Sequence, residues 1–139
     1  MYKTYILILK LNKNLSIEIG KVGKIFFKKG YYLYVGSGKR NLEKRLKRHI
    51  KREKNIHWHI DYLTSNANFS FKEIYLFEKL NECELAKKFI ENNFCYIKNF
   101  GSSDCHCKSH LFFSENLKNF KVVIKSFKEV KYYETFWTY

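Results

Sequence analysis

Apolar and polar positions change rhythm several times along the 139-residue chain, and each rhythm predicts an element. Residues 3–11 are almost continuously apolar, which suits a strand buried on both faces. After the polar turn Asn12-Lys13-Asn14, Leu15, Ile17 and Ile19 alternate with Ser16, Glu18 and Gly20, so 15–20 reads as a strand with one wet face. Residues 24–28 and 31–36 read as further strands, punctuated by Gly20, Gly23 and Gly30. The first 36 residues therefore predict a small antiparallel sheet. The rhythm then becomes helical over 39–54, where Leu42, Leu46 and Ile50 recur every four residues and are expected to pack on the sheet. Arg45 and His49 fall one turn apart on the flank of that stripe, and Arg48 and Arg52 continue the flank outward.

The second half predicts a short helix over 57–63, a loop over 65–68 and a strand over 71–77. Asn81 is placed to cap a helix over 82–92 whose core face is Leu85, Ala86, Phe89 and Ile90. A polar loop spans 100–110, a strand 110–113 and a last helix 117–127, before an aromatic tail over 132–139. Nothing marks a linker or repeat. The expectation is one domain over 1–139, of α/β class and α+β type, with a central, mainly antiparallel sheet flanked by helices.

Charge sharpens this picture. The chain carries 27 Lys+Arg against 13 Asp+Glu, a net +14. Nine of the basic residues fall between Lys39 and Lys54, against Glu43 and Glu53. Such clustering points to a polyanionic partner rather than to solubility alone. No stretch approaches the ~20 apolar residues of a membrane span. The apolar start has no small-residue cleavage site, so it reads as a strand of a cytoplasmic protein. In that compartment Cys83, Cys95, Cys105 and Cys107 are free thiols or metal ligands rather than disulfides.

The run Tyr34-Val35-Gly36-Ser37-Gly38 joins a strand to the basic helix, with glycines where a phosphate could approach the backbone. Gly36, Ser37, Lys39, Arg40, Lys44, Arg48 and Arg52 are the expected nucleic-acid contacts. Phosphodiester hydrolysis needs an activated water, a group to meet the phosphate charge and stabilisation of the leaving oxygen. Arg45 offers a planar fork for the phosphate. Tyr5, Tyr34 and His49 are candidates to orient water and move protons. Glu82 offers a carboxylate for a divalent cation.

These residues, with the strings Trp58-His59-Ile60-Asp61-Tyr62-Leu63, Glu82-Cys83-Glu84 and Phe100–Leu111, resemble the GIY-YIG nuclease superfamily, in a prokaryotic branch of it. The resemblance covers about residues 3–113. It implies a small α/β domain with Tyr5 and Tyr34 as the tyrosines of the two motif halves, Arg45 and His49 on the helix, and Glu82 binding Mg²⁺ or Mn²⁺; Glu84 is the alternative. Lys3-Thr4 stands where the superfamily has Gly-Ile, and an extra hairpin over about 12–29 lengthens the gap between the tyrosines. The expected activity is metal-dependent endonucleolytic cleavage, with DNA ahead of RNA. The rival is a nucleic-acid-binding module without catalysis on the same scaffold.

Each candidate also has a plainer reading. Tyr5 and Tyr34 could be ordinary sheet aromatics, Arg45 one more solvated cation, and Glu82 a first-turn acid favoured by the helix dipole. Asp61 and Asp104 are accessory candidates. Cys105, Cys107 and His110, with Cys83, Cys95, His57 and His59, also suggest a structural zinc site. Cys-x-Cys is shorter than the usual ligand spacing, and a fourth ligand must come from elsewhere, so zinc ranks behind free thiols.

Overall fold

The non-alternating run at the start of the chain becomes the central strand of a sheet. A computed structural model of the protein describes residues 1–38, 41–102 and 107–133. In it β1 (Thr4–Leu11) lies between β4 (Gly30–Ser37) and β5 (Phe69–Phe77), antiparallel to both. Tyr5, Leu7, Leu9 and Leu11 enter one core, while Ile6 and Ile8 enter another on the opposite face. Burial on both faces is why the sequence shows no period of two. Each such side chain contributes about 1.5–3 kcal/mol on leaving water.

β7 (Leu111–Ser114) and β6 (Cys95–Tyr96) extend the sheet beyond β4, and β8 (Lys131–Tyr132) extends it beyond β5. The order is β6-β7-β4-β1-β5-β8, with every pairing antiparallel. The short helix α2 (Asp61–Thr64) and the basic helix α1 (Leu42–Ile50) cover the first core, and α3 (Glu82–Glu91) and α4 (Leu117–Ser126) cover the second. This is the expected α+β architecture. None of the helices among the described residues is long and apolar enough to cross a membrane.

Two local features adjust the sequence reading. The first 36 residues do not form one sheet. β2 (Leu15–Ile19) and β3 (Gly23–Phe27) pair only with each other, as an extra hairpin. Its apolar side, with Ile19 and Phe27 buried, packs on the first core, while Ser16, Glu18 and Lys24 face solvent. A strand with one wet face cannot take the central place that β1 fills. In β5 the register slips between the partners of Ile8 and Leu9, so that Ile8 faces Glu73 and Leu9 faces Phe71. This bulge lets Phe69 and Phe71 share a core with Ile74 and Leu76 although their numbers differ in parity.

α1 is shorter than predicted, ending at Ile50 rather than Lys54. The chain turns there because the Lys54 ammonium folds back onto the His49 carbonyl at 2.9 Å and onto Thr64 Oγ1 at 2.8 Å. That contact satisfies a last-turn carbonyl of the helix. α3 starts as predicted: Asn81 and Glu84 form a reciprocal capping box. The two-residue edge strands β6 and β8 were not foreseen, being too short and too exposed to imprint a period.

Gly36 lies directly opposite Tyr5 in the β1–β4 register, and a Cβ at Gly36 would overlap the Tyr5 ring. A Cβ at Gly38 would meet Leu42 Cα at 2.5 Å. Both glycines are thus required by packing: the first lets the Tyr5 ring lie across β4, the second seats α1. Substituting Gly36→Ala is expected to cost about 1–3 kcal/mol by overpacking. Most of that penalty should vanish in a Tyr5→Ala background, a coupling that urea titration of the four proteins of the cycle would measure.

Candidate active site

Tyr5 and Tyr34 project from neighbouring strands onto the first core, with ring centroids 6.4 Å apart. The imidazole of His49 drops from α1 between them, 5.4 Å from the Tyr5 ring and 6.3 Å from that of Tyr34. Its Nε2 is 2.5 Å from the Tyr5 hydroxyl. His49 is only 1% exposed, more buried than the half-buried Leu42 and Ile50 that the helical period assigned to the core. Its Nδ1 is buried with no hydrogen-bond partner among the described residues.

Burial sets the protonation here. It pushes His49 down to about 3, helped by Lys54 and opposed by Asp61, so the ring is neutral at physiological pH. Burial also raises the phenol of Tyr5 well above its ordinary value, with Tyr34 next and Glu82 and Asp61 adding to the rise; Arg45 acts against it. Tyr34 is raised by burial and by Glu82, again against Arg45. The site therefore holds two protonated phenols and a neutral imidazole in contact.

Arg45 sits one helical turn before His49 and donates from Nη1 to the Ser37 carbonyl. Its guanidinium carbon lies 4.6 Å from the centre of the Trp58 ring, and that of Arg48 lies 4.5 Å from it. The two arginines differ in what else they hold. Arg48 grips the fully buried Asp61 carboxylate with two hydrogen bonds, of 2.7 and 2.8 Å, and donates to the Asn55 carbonyl at 2.8 Å. Asp61 Oδ2 also accepts the amides of His57 and Trp58 at 2.8 Å. Burial alone would raise the Asp61 carboxyl, but the Arg48 guanidinium and these amides outweigh it and hold it low. Arg52 donates to the carbonyls of Asn66 and Phe69 at 2.8 Å.

These contacts change the picture at three residues, Arg48, Arg52 and Asp61. Arg48 and Arg52 pin the segment between α1 and β5 rather than lying open along the helix edge. Asp61 is a buried anchor rather than a group in a cleft. Lys44 stays exposed on α1, and Ser37 receives Arg45 through its backbone. Lys39, Arg40, Asp104 and Cys105 lie outside the described residues, as does the tail from residue 134.

Glu82 opens α3, and its Oε2 is 3.9 Å from His110 Nδ1. Its side chain is 37% exposed, and its charge helps raise both tyrosines. Glu84 instead turns back to the Asn81 amide and lines a separate cleft with Lys79 and Lys88. His59 accepts the Gly101 amide on Nδ1 at 3.0 Å, and Gly101, at φ +69, passes beside the Tyr34 ring. His57 is exposed, its ring 4.9 Å from that of Trp58, and Cys95 lies on an exposed edge strand. Of the Cys/His set, Cys83, Cys107 and His110 converge, with ligand atoms all within 4.8 Å of one another.

Trp58 and Lys54 were not singled out from sequence. Their roles come from tertiary contacts between α1 and the following segment, which leave no periodic trace.

One family model, described as a domain of unknown function, DUF123, matches residues 4–132. The chain belongs to the DUF123 family. No curated protein and no solved structure matches it. The matched span includes all of the site described above, from Tyr5 to His110.

Two outcomes are expected for this DUF123 domain. Removing Arg48 leaves the buried Asp61 charge uncompensated, so Arg48→Ala should cost about 3 kcal/mol in chemical denaturation. His49 is held neutral in the fold but protonates near 6.5 when unfolded. The unfolded chain therefore binds the extra proton between about pH 6.5 and 3, so stability falls as pH falls through that window, by up to about 1.4 kcal/mol per pH unit from this group. Urea titrations from pH 7 to 4.5 should show a shallower loss for His49→Gln than for the wild type.

Proposed function

We propose that this domain is a divalent-metal-dependent endonuclease of GIY-YIG type, hydrolysing nucleic-acid phosphodiester bonds, with DNA the favoured substrate. The observation that carries the reading is the meeting of Tyr5, Tyr34, His49 and Arg45 in one cluster, with the Glu82 carboxylate acting on it from a fourth element. An ordinary aromatic core has no use for a neutral histidine against a tyrosine hydroxyl, ringed by an arginine and a glutamate. The resemblance of the motif residues to the superfamily points the same way.

The donor set fits a hard cation. Glu82 is a partly exposed carboxylate beside the cluster, and Mg²⁺ commonly takes one or two carboxylates and keeps several waters. Glu82 would hold the ion, which when bound supplies charge for the leaving oxygen. The rest falls to the chain itself. Arg45 has donors beyond the one given to Ser37, and its stacking on Trp58 fixes the fork, so it would bind the scissile phosphate. Water attacks phosphorus as the bond to the leaving oxygen breaks. Tyr34 and Tyr5 orient that water, and the Tyr5–His49 contact gives its proton a path away from the reacting oxygen. His49, sealed behind Tyr5, works through that hydroxyl rather than touching substrate.

The test is cleavage of labelled single-stranded, duplex and branched DNA and of matching RNA, with Mg²⁺, Mn²⁺ or EDTA. Cutting should require the divalent ion and fall about 10²-fold or more in Glu82→Gln and in Arg45→Ala, with folding intact. Arg45→Lys should recover little, because it keeps the charge and loses the fork. Full activity in either first variant would remove that residue from the site. Salt-sensitive binding with no cutting in any ion would leave a binding module instead.

A further inference from the structure

Cys83, Cys107 and His110 have no part in that reaction, yet they meet from two distant segments of chain. Cys83 is the second residue of α3, while Cys107 and His110 belong to the loop that leads into β7. Their ligand atoms lie within 4.8 Å of one another. Zinc bound tetrahedrally at its usual Zn–S and Zn–N lengths needs donors about 3.5–3.8 Å apart, within reach of small side-chain adjustments. The geometry points to a zinc site formed by Cys83 Sγ, Cys107 Sγ and the His110 imidazole.

The donor chemistry selects the metal. Two thiolates and an imidazole suit zinc and not Mg²⁺ or Mn²⁺, which prefer oxygen. The surroundings are those of a built site. His110 is 2% exposed, and its backbone is fixed on both sides, by its amide to the Phe100 carbonyl and by its carbonyl from the Val35 amide, each at 2.9 Å. Its ring Nδ1 also lies 3.9 Å from the Glu82 carboxylate, the kind of outer group that orients a ligating histidine. Cys83 lies in the first turn of α3, where the helix dipole favours a thiolate, and Lys87 lines the same small cleft. Among the described residues three donors converge, which leaves the fourth tetrahedral position to another ligand.

The placement also says what the ion does. Cys83 follows Glu82, and His110 is hydrogen-bonded to Phe100, whose neighbour Gly101 passes beside Tyr34. Zinc there ties the first turn of α3 to the loop and holds Glu82 at the edge of the tyrosine cluster. The inference does not rest on the nuclease reading, and cleavage is not its readout.

The experiment is metal analysis of the full chain purified under reducing conditions without chelator, with Co²⁺ substitution as a second measurement. About one zinc per chain is expected, lost from Cys83→Ser and Cys107→Ser and kept in Cys95→Ser. Co²⁺ should give the near-ultraviolet sulfur-to-cobalt charge-transfer band and the strong visible bands of a tetrahedral site in the wild type. Chelator should lower the Tm of the wild type and leave that of Cys83→Ser unchanged. Wild-type protein with reduced thiols that takes up no zinc and gives no charge-transfer band overturns the proposal without needing any variant to fold. So does zinc retained by both serine variants.

Discussion

The buried carboxylate of Asp61 is the point on which the candidate site depends. It is fully enclosed and accepts two hydrogen bonds from Arg48 and one each from the His57 and Trp58 amides. A buried ion pair is weak evidence of net stability, because desolvation opposes the attraction. What it does here is fix geometry. The pair holds the segment that follows α1, including Trp58, over whose ring Arg45 comes to rest. Arg48 is spent on this task, and Arg45, stacked on the same indole, keeps donors for something else.

The electrostatics of the cluster follow from that arrangement. In the free protein the phenols of Tyr5 and Tyr34 are held protonated chiefly by burial, with Glu82 and Asp61 reinforcing it and Arg45 opposing it. A phosphate bound to Arg45 would offset the one cation that opposes this rise and push both phenols further up. Neither tyrosine could then accept a proton from water unless positive charge arrived near Glu82. On the proposed reading, this coupling makes the carboxylate essential although it touches no phosphate itself. The net charge of +14 says nothing of this local balance, in which two acids, Glu82 and Asp61, raise the phenols against Arg45.

What the sequence made legible was periodicity and capping. The unbroken apolar run of β1, the wet-faced hairpin and the Asn81 cap each leave a local pattern, and each was found within a residue or two of where it was expected. Tertiary use of identical residues left none. Arg45 and Arg48 look alike in a basic helix, and only the position of Asp61 separates them. The helical period placed His49 on a flank, but the hydroxyl of Tyr5 draws it into the core. Gly36 and Gly38 read as room for a phosphate, whereas the space they leave is taken by the Tyr5 ring and by Leu42.

The same distinction bears on the consecutive residues Glu82 and Cys83. Neighbours on a helix diverge by about 100°, so they cannot serve one small site from one face. Glu82 is felt by the tyrosines, while Cys83 meets Cys107. His110 stands between them, 3.9 Å from the carboxylate and within reach of both sulfurs. A hard oxygen donor and a soft sulfur donor one residue apart would sort two cations by chemistry alone. The imidazole that completes the soft set would then also fix the distance between them.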